Sequence, residues 1–335
     1  MPVLIVTKEK SGVDKYSQEL AKRLDVKKVE SRRYLSLIEA YRLSRVVRSE
    51  GNIVHLPNQN FARYALFLKN PFIVTVHDLV RCCSGFTKET IIEKILIKLD
   101  IRYIKRASHI IAVSQHTKND LIKYLKIPDN RISVIYNGVD HSIFKPYNIK
   151  LLDKPYILYV GSERPRKNLG RLFEAFAKLK KEFPELKLLK VGASGRSEKY
   201  RRDTIKKLDS LKITQDIIFV DHLSELDLAH YYSSATLLAY PSLYEGFGLP
   251  PLEAMACGCP VITSNTSSLP EVVGEAGIMV NPYDTNSLVQ AMRQVLTDDK
   301  LRDDMVRKGL EQSKRFSWEK TARQTLEVYE KVGGT

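Results

Sequence analysis

The stretch Tyr240-Pro241-Ser242-Leu243-Tyr244-Glu245-Gly246-Phe247-Gly248-Leu249-Pro250-Pro251-Leu252-Glu253-Ala254-Met255-Ala256-Cys257-Gly258 decides the fold. It leaves a short apolar run, Thr236 to Tyr240, passes through a glycine-bearing turn and enters an apolar helical segment. Gly246 and Gly248 permit close backbone approach, Pro250 and Pro251 suit a first helical turn, and Gly258 supplies the stop. The free amides of such a helix start predict an anion site that favours phosphate.

The same alternation extends in both directions. Upstream, β-branched runs at Val3 to Thr7, Ile53 to Leu56, Phe72 to Val76, His109 to Val113 and Ile132 to Tyr136 are separated by amphipathic helical segments. Five more follow at Tyr156 to Val160, Leu186 to Val191, Ile217 to Val220, Thr236 to Tyr240 and Pro260 to Thr263. Continuous apolar strands alternating with helices predict parallel sheets covered on both faces, and two such series predict two doubly wound Rossmann-like domains in an α/β protein. Two prolines bracket a polar connection at about 146–154, which separates a domain over 1–148 from one over 149–316. A last helix over 317–335, with Ser317 as its N-cap and Glu319 and Glu327 on its polar face, is expected to pack back towards the first domain.

With 335 residues, 43% of them hydrophobic, the chain can bury two cores, which excludes a disordered tail or a disulfide-stapled mini-protein. Lys and Arg number 54 against 39 Asp and Glu, a net charge of +15. Residues 1–150 hold 27 of those bases and 14 of the acids, so nearly all the excess lies in the first half. Cys82, Cys83, Cys257 and Cys259 have neither disulfide-framework nor C-x-x-C zinc spacing, which points to a reducing compartment. The apolar run after Met1 meets Lys8 and Lys10 at once, shorter than a signal or membrane-spanning segment, and a cytoplasmic location is expected.

Within the deciding stretch, a carboxylate placed beside a phosphate site is unfavourable unless it has other work. Glu253 falls in the first helical turn by this reading, where its two oxygens could accept both hydroxyls of a ribose cis-diol. Glu245, before the glycine turn, could hold sugar hydroxyls in the same way. Taken singly, each acid could as well complement the helix dipole or stand solvated in a loop.

Glu245 and Glu253, with seven residues between them, resemble the E-x7-E motif of retaining glycosyltransferases of GT-B architecture, specifically glycosyltransferase family 4 and its mannosyltransferase-like members. Tyr159-Val160-Gly161-Ser162 through Pro165-Arg166-Lys167-Asn168-Leu169 resembles the phosphate-binding loop, and Val134 to Asp140 the interdomain segment. Ala112-Val113-Ser114-Gln115 and Thr75-Val76-His77-Asp78 match two further signatures, so the similarity spans essentially the whole chain. The resemblance implies two Rossmann-like domains facing across a cleft, an acceptor-binding domain first and a nucleotide-sugar-binding domain second.

A nucleotide diphosphate leaving group gains negative charge as the glycosidic bond breaks, and Arg166 and Lys167 would stabilise it. An Arg-Lys pair alone is ordinary surface charge; the strand, glycine, loop and helix around it give it a role. Family members generally need no divalent ion, and there is no D-x-D doublet beside a strand. Ser162 stands where many relatives carry Arg, a contact that Arg164 and Arg166 could replace. By resemblance, Glu245, Arg166, Lys167 and His77 form the catalytic set. Glu253, Gly246, Phe247, Gly248, Leu249, Gly161, Ser162, Gly192, Leu223 and Gly12 bind the donor, with base contacts near Gly192 and the backbone of His222 and Leu223.

The expected reaction is retaining transfer of a hexosyl group to a hydroxyl of a glycan, glycolipid or lipid-linked acceptor. Mannose from GDP-mannose is the preferred donor, with a UDP-sugar as the alternative. The basic first half fits an anionic acceptor or an anionic membrane surface, to which Leu35 to Ser49 and Ile91 to Arg106 could attach as basic amphipathic helices. Both could equally be core-facing helices with solvated basic faces. A nucleotide-sugar epimerase fits the two glutamates less well. Nucleic-acid binding has only the charge behind it, with no helix-turn-helix, zinc or RNA-recognition signature, and no nucleic-acid partner is expected.

Overall fold

The computed structural model describes residues 2–7, 12–31, 37–48, 53–83, 85–86, 89–195, 198–221 and 223–334. Ser11, Lys8, Lys10, Leu35, Ser49 and His222 lie outside them. The chain divides into two compact units, Met1–Gly138 with Phe316–Thr335, and Val139–Arg315.

In the first unit, β1 (Val3–Thr7), β2 (Lys27–Ser31), β3 (Val54–Leu56), β4 (Phe72–Val76), β5 (His109–Ala112) and β6 (Ile132–Val134) form one sheet in the order β2-β1-β3-β4-β5-β6. Every pairing is parallel. All five residues of β4 are buried, as a central strand covered on both faces requires. One face is covered by helix Leu37–Arg48, the 3-10 segment Gln59–Phe67 and helix Ile91–Arg106, which bury Leu43, Val47, Phe61, Tyr64 and Ile104. The opposite face is covered by helix Gly12–Arg23 and helix Trp318–Gly333, through Tyr16, Leu20, Trp318, Val328 and Tyr329.

Ser317 caps the last helix, its Oγ accepting the Lys320 amide at 3.2 Å. Gly138 lies so close beneath it that an added Cβ would stand 2.1 Å from the Trp318 backbone nitrogen. A buried polar chain ties the helix to the sheet. Tyr329 Oη lies 2.6 Å from His55 Nδ1, His55 Nε2 lies 2.8 Å from Thr75 Oγ1, and Thr75 Oγ1 lies 3.0 Å from Tyr16 Oη.

In the second unit, β7 (Tyr156–Val160), β8 (Lys187–Val191), β9 (Ile217–Val220), β10 (Leu237–Tyr240), β11 (Val261–Ser264) and β12 (Ile278–Val280) run parallel in the order β12-β11-β10-β7-β8-β9. Strand order reverses between β7 and β10. In doubly wound sheets ligands bind outside the carboxyl ends of the strands at such a reversal.

The sequence expectation is corrected at three places. Residues 139–148 belong to the second unit, because Phe144 packs on Tyr232 and the Tyr147 amide donates to Ser233 Oγ at 3.2 Å. Edge strands β2 and β12 were not anticipated. In β2 only Val29 and Ser31 are buried, so it carries no continuous apolar run, and β12 has three residues.

Candidate active site

The loop after β7 and the loop after β10 leave the carboxyl edge of the second sheet on either side of the strand-order reversal. Gly161, immediately after β7, has φ +153°, and a Cβ there would meet the Tyr159 hydroxyl at 2.8 Å. Gly192, immediately after β8, has φ +108°, and a Cβ there would meet the Gly161 carbonyl oxygen at 3.0 Å. The two glycines bring their turns together without side chains between them.

Three hydrogen bonds stitch the first loop to the second, and a fourth ties the first loop to the one after β12. The Leu243 amide donates to the Arg166 carbonyl at 2.7 Å, and Arg166 Nη1 donates to the Tyr244 carbonyl at 2.7 Å. Asn168, held at φ +60°, donates through Nδ2 to the carbonyls of Pro241 at 3.0 Å and Pro282 at 2.8 Å. The Glu245 backbone is fixed from below: its amide donates to Ser267 Oγ and Ser268 Oγ donates to its carbonyl, each at 3.0 Å.

This frame brings Glu245, Arg166 and Lys167 together. Lys167 Nζ donates to Glu245 Oε1 at 2.6 Å and Arg166 Nη1 donates to Oε2 at 2.9 Å, while Tyr240 Oη donates to Oε1 at 3.1 Å. Burial opposes ionisation of Glu245, but Arg166 and Lys167 outweigh it and hold the carboxyl at about 2. Burial lowers Lys167 to about 8 against the pull of Glu245, with Arg166 adding to the lowering. At neutral pH the cluster holds two cations and one anion, a net positive charge in a largely buried place, which favours an incoming phosphate.

Glu253 is also buried, and its Oε2 accepts the Tyr232 hydroxyl at 3.2 Å. Burial and the Glu253 carboxylate push the Tyr232 phenol well above its usual range, so it stays a donor. Two expectations are corrected here. Glu253 is the fifth residue of helix Leu249–Ala256, beyond its first turn. Pro250 and Pro251 carry no amide hydrogen, so among the first three helical residues only Leu249 can donate to an anion. The helix stops as expected, with Gly258 at φ +74° just past the Cys257 cap.

Of the remaining expected residues in this unit, Gly246, Phe247 and Gly248 form the turn before that helix, with Gly248 at φ +128°. Ser268 Oγ bonds the Phe247 carbonyl. Ser162 follows Gly161, and its carbonyl accepts the Tyr159 hydroxyl at 3.1 Å. Leu223 stands in the loop after β9 and is half-buried.

His77 and Gly12 belong to the first unit. Gly12 starts the helix that follows β1. His77 follows β4, where its Nε2 donates to the Pro57 carbonyl at 2.8 Å and its amide donates to Gln59 Oε1 at 3.0 Å. Tyr16 packs edge-on against the ring, centroids 5.0 Å apart. Burial lowers its pKa, so the imidazole is neutral and Nδ1 is the acceptor.

Sequence reasoning missed a second buried ion pair beside Gly192. Lys190, buried in β8, lies 3.0 Å from Glu163 Oε1, which also accepts Arg201 Nε at 2.7 Å. The signal was Lys190 itself, one charge in the run Leu188-Leu189-Lys190-Val191, because a buried cation needs a carboxylate. Among the described residues no group of three or more His, Cys, Asp or Glu could hold a metal ion. No helix there is long and apolar enough to cross a membrane.

Comparison with known proteins matches both units. The family model for glycosyl transferases group 1 matches residues 142–312, and that for glycosyltransferase family 4 matches residues 2–143. The chain is 31% identical over 328 residues to the O-antigen chain mannosyltransferase B of Escherichia coli, covering 89% of this chain and 81% of that one. It is 32% identical over 239 residues to the serotype-specific mannosyltransferase WbdA of Escherichia coli, covering 68% of this chain and 29% of that one. The structure of Anabaena HepE in complex with UDP-glucose superposes with a TM-score of 0.83 at 17% identity, over 99% of this chain and all of that one. That likeness gives the fold, GT-B, in agreement with the strand orders found here. With both units matched by family models and a curated relative aligned along nine-tenths of this chain, the chain belongs to the glycosyltransferases, of group 1 in its second unit and family 4 in its first.

Proposed function

We propose that the protein is a retaining, nucleotide-sugar-dependent hexosyltransferase whose donor site is the cluster around Glu245. Mannose from GDP-mannose is the preferred donor: two mannosyltransferases are among the relatives, and Pro165 to Asn168 and Ser264 to Glu271 resemble mannosyltransferase-like members. A UDP-sugar is the second reading, favoured by the likeness to HepE in complex with UDP-glucose. The acceptor is a hydroxyl of a glycan, glycolipid or lipid-linked saccharide, and the basic first unit fits one that is anionic.

The observation that carries the reading is the pair of cations, Arg166 and Lys167, fixed on the two oxygens of Glu245 at the strand-order reversal. In the reaction the bond from the anomeric carbon to the diphosphate oxygen breaks and a bond to the acceptor oxygen forms on the same face. The acceptor proton passes to the departing phosphate oxygen, so no protein nucleophile is required. Arg166 and Lys167 take up the negative charge that develops on the leaving diphosphate, and because their partners already fix them, little reorganisation accompanies the step. Glu245 orients the transferred sugar, Glu253 receives the ribose diol, and the turn Gly246 to Leu249 approaches the phosphates. Gly161, Ser162, Gly192 and Leu223 line the donor. The neutral His77 offers Nδ1 to a sugar or acceptor hydroxyl.

Calorimetry with GDP-mannose, UDP-glucose and UDP-GlcNAc, on wild type, Glu253→Ala and Lys167→Ala, tests this. One nucleotide series should bind the wild type and bind both variants more weakly. Absence of binding by every donor would sink the proposal.

A further inference from the structure

The outward face of helix Ile91–Arg106 carries three isoleucines in water: Ile91 is 79% exposed, Ile92 71% and Ile95 61%. Helical spacing places Ile91, Ile95, Lys98 and Arg102 along one row. Lys94, Lys105 and Arg106, all exposed, flank that row.

Both acids of this helix are engaged with the protein. Glu93 accepts the Thr90 amide at 3.0 Å and pairs with Arg81 at 3.3 Å, and Asp100 is buried against Arg63. The outward face thus combines isoleucines with five cations and presents neither carboxylate to solvent as a free charge.

The same layer of the first unit continues the pattern. Helix Leu37–Arg48 and the segment Gln59–Phe67 share one core with helix Ile91–Arg106, and they expose Ile38 (83%), Tyr41 and Leu66, with Arg45 exposed beside them.

Exposed apolar side chains gathered among cations mark an interaction surface, and the charge narrows the partner. A nucleic acid would use the cations and leave the isoleucines wet. A second copy of this chain in a two-fold contact would set the same cations against each other. An anionic bilayer satisfies both: short apolar side chains enter the boundary between headgroups and acyl chains while Lys and Arg meet the phosphates.

We propose that this layer of the first unit docks on a bilayer bearing anionic phospholipid headgroups, with Ile91, Ile92 and Ile95 inserted and Lys94, Lys98 and Arg102 on the headgroups. The inference rests on the anionic-partner part of the proposed function and names that partner. It is read without donor or acceptor, so its failure and a failure of donor binding are told apart.

The test is flotation of the full chain with vesicles of phosphatidylcholine alone and of phosphatidylcholine mixed with phosphatidylglycerol. The wild type should float with the mixed vesicles only, and added salt should release it. Replacing Ile91, Ile92 and Ile95 by Ser should weaken binding by roughly tenfold per residue. Lys94→Glu with Lys98→Glu should abolish it by charge, with donor binding retained as evidence of folding. Equal flotation with neutral vesicles, no flotation with either, or unchanged binding in both variants overturns the proposal. So does a vesicle-independent dimer, seen by light scattering, that the isoleucine variant abolishes.

Discussion

Lys167 stands 2.6 Å from Glu245 Oε1 and 2.5 Å from the Tyr240 hydroxyl, both inside the second unit. The ammonium is buried, so its charge depends on this carboxylate. Glu245→Ala should destabilise the protein by about 3–5 kcal/mol, because it leaves a buried cation unpaired. Lys167→Met combined with Glu245→Ala should cost less than the sum of the two single changes. Denaturant unfolding of the four proteins measures both statements, and strict additivity would refute the coupling.

The same pair sets a pH dependence. Burial lowers Lys167 to about 8, so the ammonium that would face the leaving diphosphate is present below that value and lost above it. Glu245 at about 2 stays ionised through the working range and contributes no acidic limb there. The profile of kcat/KM should therefore fall above about 8, approaching tenfold per pH unit. Lys167→Arg, whose guanidinium keeps its charge, should remove that limb whatever its rate. A limb that persists in this variant belongs to another group.

Gly138→Ala should destabilise the first unit by about 1–3 kcal/mol. The added methyl would stand 2.1 Å from the Trp318 nitrogen and 2.3 Å from the Ser317 carbonyl carbon, and backbone cannot step aside as a side-chain tip can. Thermal unfolding measures the loss, and an unchanged midpoint would refute the close approach.

Tyr329→Phe removes the hydroxyl that pairs with His55 Nδ1. Burial holds the His55 imidazole at about 3, so it is neutral at working pH and its lost partner is a neutral one. The expected cost is about 1–3 kcal/mol, that of leaving a buried polar atom unsatisfied, measured by denaturant midpoint.

What could be read in the sequence follows burial. β1, β4, β7 and β9 fall at the bounds expected from their apolar runs. Lys27-Lys28-Val29-Glu30-Ser31 could not be read as a strand, since as an edge strand it turns its charged residues to solvent. Turns and caps were legible where backbone chemistry forces residue type: glycines at Gly161 and Gly248, and the capping Ser317. That Glu245 would sit on both Arg166 and Lys167 was not legible. It depends on β7 and β10 being neighbours although the strands are 76 residues apart in sequence, which no local pattern carries.

The last helix belongs to the first unit, and this has a consequence for biosynthesis. Residues 139–315 form an insertion between two parts of one folded body. On the ribosome, the second unit has all its strands well before Trp318 and Tyr329 are made, whereas the first must wait with Tyr16, Leu20 and Ile73 uncovered on one face of its sheet. The half translated first is therefore the half completed last, and until then it is the part of the nascent chain that chaperones have reason to hold.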